Sequence, residues 1–412
     1  MKMRIGVIVH PAGRFVTAIL AGLVSVSPAM AGGLYISEFG TPIEGSAGAG
    51  ANAVAEDASV GFHNAAGIVF LEEEGGHWLA SVGGLNVTAE FKSEPGTVVP
   101  GNDGGDAGGF APVASLFYSR KVSDKWGWSA SLLSVSAAIL DYDDDWVGRY
   151  WAQEVTLFTI NVTPAVSYRI NDRWSLGLSV PIMFGALEMD LAVPIGPPEA
   201  PIGEGSVNID GNDIGATWSL STFIDVSPRT NLGIIYVAEN EVSLDSDITV
   251  DPVGLLLDAD VEFPFVQTAR LSIAHDINDN VTLLGTFAWE DWSSFENLLV
   301  STTMGDQSIA RNWEDTYKYA LGVRWHSGDS WTWHAGAAYD TSPTNASDRT
   351  PDMPIDRQIR LGFGGQYQRP SGKIIGAVFE YVDMGDARIE NDLLVGEYET
   401  NRFVTLSVNV AW

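Results

Sequence analysis

The chain has 412 residues, of which 45% are hydrophobic, and it carries a formal net charge of −31 and no cysteine. This acidic balance argues against nucleic-acid binding, which needs a basic face, and the lack of cysteine excludes a disulfide framework. Beyond the N-terminus no stretch is apolar over the roughly 20 residues of a transmembrane helix, so the chain could span a membrane only as a closed sheet of strands.

The first predicted element is a cleavable leader at residues 1–31. Lys2, Arg4 and Arg14 supply basic charge, and a short apolar run follows from Phe15. The run ends near Ala29-Met30-Ala31, a small-x-small cleavage pattern. We therefore predict a signal peptide that exports the chain, with the mature protein beginning at Gly32.

Residues 32–76 form the second predicted element, and they lack the alternation of a strand. Glycine and alanine dominate the middle of this segment. Small residues suit a compact hatch, or plug, packed inside a lumen. A disordered tail is the alternative, but it would expose Leu34, Tyr35 and Phe39 to water.

The third predicted element, residues 77–412, consists of segments with apolar residues at every second position. This period of two is typical of strands with one face toward an apolar phase. The clearest segment carries apolar residues on one face at these positions: Tyr317, Tyr319, Leu321, Val323 and Trp325. Tryptophan and tyrosine near strand ends favour a membrane barrel over a soluble all-β protein, because such barrels carry aromatic girdles.

Long and short connections alternate along residues 77–412. Short turns fall near 123–124, 171–173, 228–230, 277–279, 327–329 and 370–372, and long loops near 92–111, 141–153, 190–212, 246–262, 303–314, 341–356 and 385–397. Six turns and seven loops predict an all-β fold, a 14-stranded antiparallel transmembrane β-barrel with short periplasmic turns and long outer loops.

The final strand alternates and ends on an aromatic residue, Trp412. This ending resembles the signal by which the bacterial barrel-assembly machinery recognises its clients. We therefore expect that machinery to be a partner during biogenesis.

No catalytic motif is present in the predicted mature chain. It contains no Gly-x-Ser-x-Gly elbow, and none of its five histidines pairs with another at metal-ligand spacing. We predict no enzyme activity, no metal site and no cofactor.

Two of the predicted loops are unusually apolar. Loop 190–212 contains Val193 and Ile195, and loop 246–262 contains Leu255, Leu256 and Leu257. Exposed apolar segments usually mark a binding surface. They either form a groove that captures an apolar solute or pack on each other as a lid.

Four basic residues face the predicted lumen: Arg270, Lys318, Arg324 and Arg360. They either pair with lumen acids such as Glu290 or bind a carboxylate headgroup in the channel. The acidic outer loops are either simply solvated or bridged by divalent cations to anionic outer-leaflet lipid.

The order of several short motifs resembles a known family. Ser37-Glu38-Phe39 follows the cleavage site, and Glu56-Asp57-Ala58-Ser59 follows a glycine-rich stretch. Asn64, Ala65, Ala66 and Gly67 stand at the family's Asn-Pro-Ala hatch motif, with Ala65 in place of proline. Later matches are Asp315-Thr316-Tyr317, Asp340-Thr341-Ser342-Pro343 and Asp356-Arg357. On these motifs the chain resembles the FadL/TodX outer-membrane transporters of long-chain fatty acids and other hydrophobic compounds.

The resemblance implies a hatch-plugged barrel in the outer membrane of a Gram-negative bacterium. In that family the third and fourth outer loops, here 190–212 and 246–262, form a low-affinity groove. An inner site lies against the N-terminus, here Leu34 and Tyr35, and ligand leaves sideways at a kinked third strand, here about 126–140.

The expected function is passive uptake of a hydrophobic small molecule, either a fatty acid or an aromatic hydrocarbon, past outer-membrane lipid and lipopolysaccharide. A general porin and a structural or adhesive barrel are the alternatives.

Overall fold

The computed structural model describes residues 38–71, 75–134, 137–252, 254–302 and 305–412. The predicted signal peptide lies outside the described residues, as do Leu34 and Tyr35. No helix in the described ranges has the length and apolar character needed to cross a membrane.

The described strand segments make one antiparallel wall, which closes where β1 pairs with β22. The segments of the first half are β1 Gly76–Ser93, β2 Phe110–Lys121, β3 Trp126–Leu133, β4 Ala137–Asp141, β5 Glu154–Asn171, β6 Trp174–Ser179, β7 Ile182–Ile195, β8 Gly203–Ala216, β9 Ser219–Ser227, β10 Thr230–Val237 and β11 Asn240–Asp251. The second half continues with β12 Leu255–Phe265, β13 Thr268–Asn278, β14 Val281–Glu290, β15 Asn297–Thr302, β16 Gly305–Ala310, β17 Thr316–Ser327, β18 Trp331–Asp340, β19 Gln358–Gln368, β20 Ile374–Asp383, β21 Ile389–Glu390 and β22 Val395–Ala411.

Fourteen barrel strands result, because several segments are the lower and upper parts of one strand. The pairs are β3 with β4, β6 with β7, β8 with β9, β10 with β11, β12 with β13, β14 with β15 and β16 with β17. The two-residue segment β21 lies in an outer loop and is not a barrel strand. Strand β5, for example, pairs on one edge with both β3 and β4, and on the other with both β6 and β7. The predicted 14-stranded barrel is confirmed.

The side chains of the wall alternate between lipid and lumen, as the sequence predicted. On β17, Tyr319 and Leu321 are 54% and 75% exposed on the outside, while Ala320 and Arg324, on the opposite face, are buried. Aromatic rings gather near the short turns: Trp78 stacks with Trp412 across the closing seam, with ring centroids 6.1 Å apart. This ring of aromatics matches the girdle at a membrane interface.

Barrel strands five to ten are each interrupted at a similar height. We call this row of interruptions the bend line; it comprises residues 180–181, 217–218, 238–239, 266–267, 291–296 and 311–315. At its first position Pro181 has no N–H to donate to a neighbouring strand. Above the bend line, β7, β8, β11, β12, β15 and β16 pair with one another as the upper part of the same sheet, and we call this part the hairpin sheet.

The predicted long loops at 190–212 and 246–262 are wrong, because most of these residues lie in strands. Strand β7 runs to Ile195 and β8 begins at Gly203, so only a short turn separates them. The inner face of the hairpin sheet is apolar, with Ile209 and Ile248 buried and paired. The aspartates on its outer face gave these strands the acidic composition of a loop.

The opposite side of the outer rim is a packed cap of four loops, residues 94–109, 142–153, 341–357 and 384–394. Trp146, fully buried, stacks on Tyr142 with ring centroids 3.9 Å apart. The hydroxyls of Tyr142 and Tyr398 are hydrogen-bonded at 2.6 Å. Arg311 donates to Asp352 at 3.2 Å, and both side chains are buried.

The hatch comprises described residues 38–71 and lies inside the barrel. It contains a 3₁₀ helix at Pro42–Ser46, a helical turn at Val60–His63 and a 3₁₀ helix at Ala65–Phe70. Its backbone lies directly on glycines of the wall: a Cβ at Gly233 would collide with the Asn52 carbonyl, and one at Gly336 with the Ser46 carbonyl. The predicted position of the hatch in the lumen is confirmed.

Candidate ligand-binding site

A cavity of about 110 Å³ lies in the lumen directly beside the bend line. Five interruptions of the bend line each contribute a lining residue: Pro181, Thr217, Ala238, Val266 and Trp292. The breaks are held together by side chains, because Tyr236 Oη donates to Gln267 Oε1 at 2.5 Å, and Gln267 Nε2 donates to Asp291 Oδ2 at 2.5 Å. The strand breaks therefore create a space that uninterrupted strands would not leave.

The hatch forms one wall of this inner cavity. Phe62 and His63 of the short helical turn line it, facing apolar residues of the wall such as Met183, Ile235 and Val237. Burial lowers the pKa of His63 to about 4, with Glu38 opposing the shift, so its imidazole is neutral at physiological pH. The cavity therefore combines an apolar body with a few polar groups, the composition of a small-molecule site.

One ion pair lies at the edge of the inner cavity. Arg270 approaches Glu290 with a nitrogen–oxygen distance of 3.9 Å. Trp292 Nε1 donates to Glu290 at 2.9 Å, which fixes the carboxylate at the bend line. Of the four predicted lumen cations, Arg270 lines this cavity. It forms the ion pair with Glu290 that the sequence analysis gave as one alternative.

The other three predicted cations lie elsewhere in the lumen and pair with acids. Lys318 donates to Glu38 of the hatch at 3.4 Å, and Arg360 donates to Asp340 of the neighbouring strand at 3.0 Å. Arg324 pairs with Glu56 of the hatch. Burial alone would raise the pKa of Glu38. The nearby cations Lys318, Arg360 and Arg270 lower it by more, so the net pKa lies well below its ordinary value.

The predicted hatch motif is a hydrogen-bonded junction between hatch and wall. Asn64 Nδ2 donates to the carbonyls of Asn52 at 2.7 Å and Thr222 at 3.0 Å, while its Oδ1 accepts from the Ala66 amide at 3.0 Å. Ser175 of the wall donates to the Ala66 carbonyl at 2.6 Å. Ala65 occupies the first position of the 3₁₀ helix, a position that proline fits well.

Phe39 and Gly67 lie at two other packing contacts of the hatch, the first with the wall and the second within the hatch. Phe39 is buried in a cluster with Leu85 and Phe403 of the closing seam and Val382 of β20. Gly67 packs against Val60 within the hatch, where a Cβ would collide. Neither residue lines the inner cavity.

The predicted groove residues lie in the hairpin sheet. Val193 and Leu257 are buried on its inner face, Ile195 and Leu255 are half-buried, and Leu256 is 63% exposed. Buried residues of the β7–β8 hairpin and of the β11–β12 hairpin belong to one apolar cluster, which also includes Trp146 of the cap. The inner face is thus covered, and Leu256 presents the open apolar surface.

The wall changes its pairing at the third barrel strand. The ladder between β2 and β3 ends at Ser115 and Leu133, whereas the ladder on the other side continues through β4 to Asp141 and Glu154. Among the described residues, β4 meets the second strand's side only through the isolated bridge of Gly108 to Leu140. The ladder between the second and third barrel strands is therefore incomplete among the described residues.

Sequence reasoning missed the main features of the inner cavity. Trp292, Gln267 and His63 showed no pattern that marked them, because their roles depend on strand breaks and on hatch contacts far apart in the chain. Pro181 within an alternating run was the one available sign of an interruption. Within the described ranges no group of three or more His, Asp or Glu side chains is arranged to hold a metal ion.

Comparison with known proteins agrees with this architecture. The family described as outer membrane protein transport protein (OMPP1/FadL/TodX) matches residues 22–410. The long-chain fatty acid transport protein of Salmonella typhi is 23% identical over 85% of this chain and 87% of its own length.

Two solved structures share the fold. A Pseudomonas aeruginosa FadL homologue superposes with a TM-score of 0.84 at 20% identity, covering 92% of this chain and 99% of that chain. The Pseudomonas putida toluene transporter TodX gives a TM-score of 0.68 at 15% identity, covering 92% and 98%. The chain belongs to the OMPP1/FadL/TodX family of outer-membrane transport proteins and is a barrel of the Gram-negative outer membrane.

Proposed function

We propose that this protein is a channel for passive uptake of hydrophobic molecules across the outer membrane, with fatty acids and aromatic hydrocarbons as the candidate substrate classes. The observation that carries the proposal is the largely apolar inner cavity, which lies between the hatch and the bend line. The names of the relatives, a fatty acid transporter and a toluene transporter, support the same two classes.

Entry begins at the tips of the hairpin sheet. Leu256 and Ile202, 63% and 86% exposed, offer apolar surface above the membrane. Removing a solute's apolar area from water there contributes about 25 cal/mol per Å², which gives weak and reversible capture. Such a surface collects molecules that the lipopolysaccharide layer excludes.

The solute then occupies the inner cavity, where Arg270 is the cation that could meet a carboxylate. Leu34 and Tyr35, which lie outside the described residues, are proposed to complete the site, because the described hatch begins at Glu38, which pairs with Lys318 in the lumen. Deleting residues 33–39 should then lower ligand affinity, and unchanged affinity in that deletion would exclude the N-terminus from the site.

Release requires the hatch or the wall to move. His63 borders both the inner cavity and a larger space of about 570 Å³ on the side of the short turns, so one turn of hatch helix separates them. The incomplete ladder at the third strand supplies a sideways exit as the alternative. Rearrangement around Asn64 and Gly67 would open either path.

The rival function of a general porin fits the lumen poorly. The hatch backbone lies on wall glycines and its acids pair with wall cations, so described residues occupy the space that a polar pore would need. Outer-membrane lipid and the barrel-assembly machinery are the remaining partners that we propose, the first around the barrel and the second during biogenesis.

Uptake measurements test the proposal. Cells that lack the protein should accumulate less labelled oleate or toluene at limiting concentration, and the wild-type gene should restore uptake. Leu256→Ser should lower uptake, while Val98→Ser, a matched exposed change in the cap, should not. Steady ion conductance in planar bilayers together with unchanged hydrophobic uptake would support a porin instead.

A further inference from the structure

One pair of side chains carries the formal charges among the described lining residues of the inner cavity. Arg270 of β13 and Glu290 of β14 approach to 3.9 Å, nitrogen to oxygen, and keep 18% and 14% of their side-chain surface accessible. The other lining residues are uncharged, since burial keeps the imidazole of His63 neutral. A molecule in this cavity therefore meets one positive and one negative group side by side.

Neutral donors hold the Glu290 carboxylate in place at the end of β14. Trp292 Nε1 donates to its Oε2 at 2.9 Å, and Thr316 Oγ1 donates to the same oxygen at 3.5 Å. The other oxygen, Oε1, is the one nearest to Arg270. At 3.9 Å the two charged groups attract each other without a hydrogen bond between them. Glu290 thus offsets the charge of Arg270 from a position that Trp292 and Thr316 set.

The other three predicted lumen cations do not supply a positive charge in its place, because each has an acid of its own. The pairs are Lys318 with Glu38, Arg360 with Asp340 and Arg324 with Glu56. Glu38 also lies close enough to Arg270 for that cation to lower its pKa. An anionic headgroup in the inner cavity would therefore add an unmatched negative charge in a region of low dielectric, which is costly.

We propose, building on the proposed function, that Glu290 is the specificity-determining residue of the inner cavity: by masking Arg270 it admits uncharged aromatic molecules and excludes carboxylates. The apolar lining, which includes Met183, Ile235 and Val237, supplies the affinity. The volume of about 110 Å³ suits a small ring, since an engineered apolar cavity of about 150 Å³ accommodates benzene. Of the two candidate substrate classes, uncharged aromatic hydrocarbons therefore fit this cavity better than ionised fatty acids.

The test compares nitrobenzene with benzoate, two planar probes of nearly equal shape that differ in charge at neutral pH. The full-length protein in lipid nanodiscs is equilibrated with each probe by dialysis, and uptake by empty nanodiscs is subtracted. We expect nitrobenzene to bind about tenfold tighter than benzoate or better, because the benzoate charge loses water and gains no unmatched cation.

Matched variants isolate the charge of Glu290. Glu290→Gln removes that charge, while its amide oxygen can still accept from Trp292. Benzoate affinity should then rise about tenfold or more, because Arg270 gains the carboxylate as its partner, and nitrobenzene affinity should change little. Adding Arg270→Met to Glu290→Gln should abolish the gain. Glu239→Gln makes the same chemical change at an exposed position of the bend line that does not line the cavity, and it should leave both affinities unchanged.

The outcomes are distinguishable. Benzoate binding as tight as nitrobenzene binding in the wild-type protein would overturn the role of Glu290 while leaving hydrophobic uptake intact, and this comparison requires no variant to fold. No gain of benzoate in a folded, heat-modifiable Glu290→Gln barrel would also overturn it, as would an equal gain in Glu239→Gln or a gain that survives Arg270→Met. Retention of neither probe above empty nanodiscs would reject the cavity as a binding site, and both proposals with it.

Discussion

The cap and the hairpin sheet cover the same outer rim, yet different forces hold them. The cap is fixed by buried arginines, aromatic stacking and side-chain hydrogen bonds to loop carbonyls, such as Arg349 to Ile355 at 2.7 Å. The hairpin sheet is fixed by strand pairing and an apolar inner face, and it joins the barrel through the bend line. We expect the directional side-chain contacts to hold the cap more rigidly than the broken strands hold the hairpin sheet.

Below the rim, the hatch is also held differently on its cap side and on its hairpin side. On the cap side Glu44 accepts from the Gly40 amide at 2.7 Å and pairs with Thr405 of the closing strand. On the hairpin side the backbone amide of Asn52 donates to Ser272 Oγ at 3.2 Å, and the backbone amide of Gly50 donates to Thr286 Oγ1 at 2.9 Å. The buried carboxyl group of Glu44 therefore anchors one end of the hatch, and hydrogen bonds from backbone amides to wall hydroxyls anchor the other.

The largest effect should come from Arg311→Met at the bend line, because Arg311 holds the cap through Asp352. The change breaks the buried ion pair between the two residues, which costs about 3–5 kcal/mol. We expect loop 341–357 to become sensitive to protease in the folded barrel. Lys92→Met removes an exposed pair with Asp103 and is the control; equal sensitivity in both variants would contradict a rigid cap.

Leu257→Ala should have the next largest effect, on the hairpin sheet. Removing this buried side chain should cost about 3 kcal/mol, because a cavity remains in the apolar cluster. Hydrogen exchange should quicken in β11 and β12 above the bend line but not in the cap. Leu256→Ala, on the exposed face, is the control, and faster exchange in the cap loops would contradict the separation of the two regions.

A smaller effect is expected where the two regions meet. Arg149 of the cap donates to Glu204 of the hairpin sheet at 2.6 Å, and Tyr150 donates to the same oxygen at 2.6 Å. Glu204→Gln should weaken this tie by about 1.5 kcal/mol. We expect faster exchange of ligand with the inner cavity; unchanged rates of ligand binding and release would show that the tie does not restrain the hairpin sheet.

The smallest global effect should be a loosening of the hatch at alkaline pH. Burial, with Glu380 nearby, raises the pKa of Glu44 from 4.5 to about 8. The folded hatch holds a proton that the unfolded chain releases, so this stabilisation is full below about pH 4.5 and is lost as the pH rises through about 8. Glu44→Gln should abolish the alkaline increase in hatch hydrogen exchange; an unchanged increase would exclude Glu44 as its source.

Much of the fold was predictable because lipid imposes a period of two on every strand. Residues such as Tyr319 and Leu321 must face outward, and hydrogen bonding must close the sheet. The hatch was predictable from its small residues and from the Asn64 motif. The hairpin sheet was not, because its outer face meets water and carries aspartates, so its alternation resembled an acidic loop.

The candidate site was less predictable for a different physical reason. Alternation placed Arg270, Lys318, Arg324 and Arg360 in the lumen, but it could not show which acids meet them. The partners Glu38 and Glu56 lie more than 260 residues away in the chain. Contacts of that separation depend on how the hatch lies inside the closed barrel, which no local pattern records.

The glycine contacts of the hatch set an order of events during biogenesis. The hatch precedes β1, and the seam of β1 with β22 is the last pairing that the chain can complete. Because the wall glycines leave only enough room for the hatch backbone, a hatch that arrived after the barrel had closed could not enter it. We therefore expect residues 38–71 to lie inside the incomplete wall before β1 and β22 pair, in intermediates trapped during assembly.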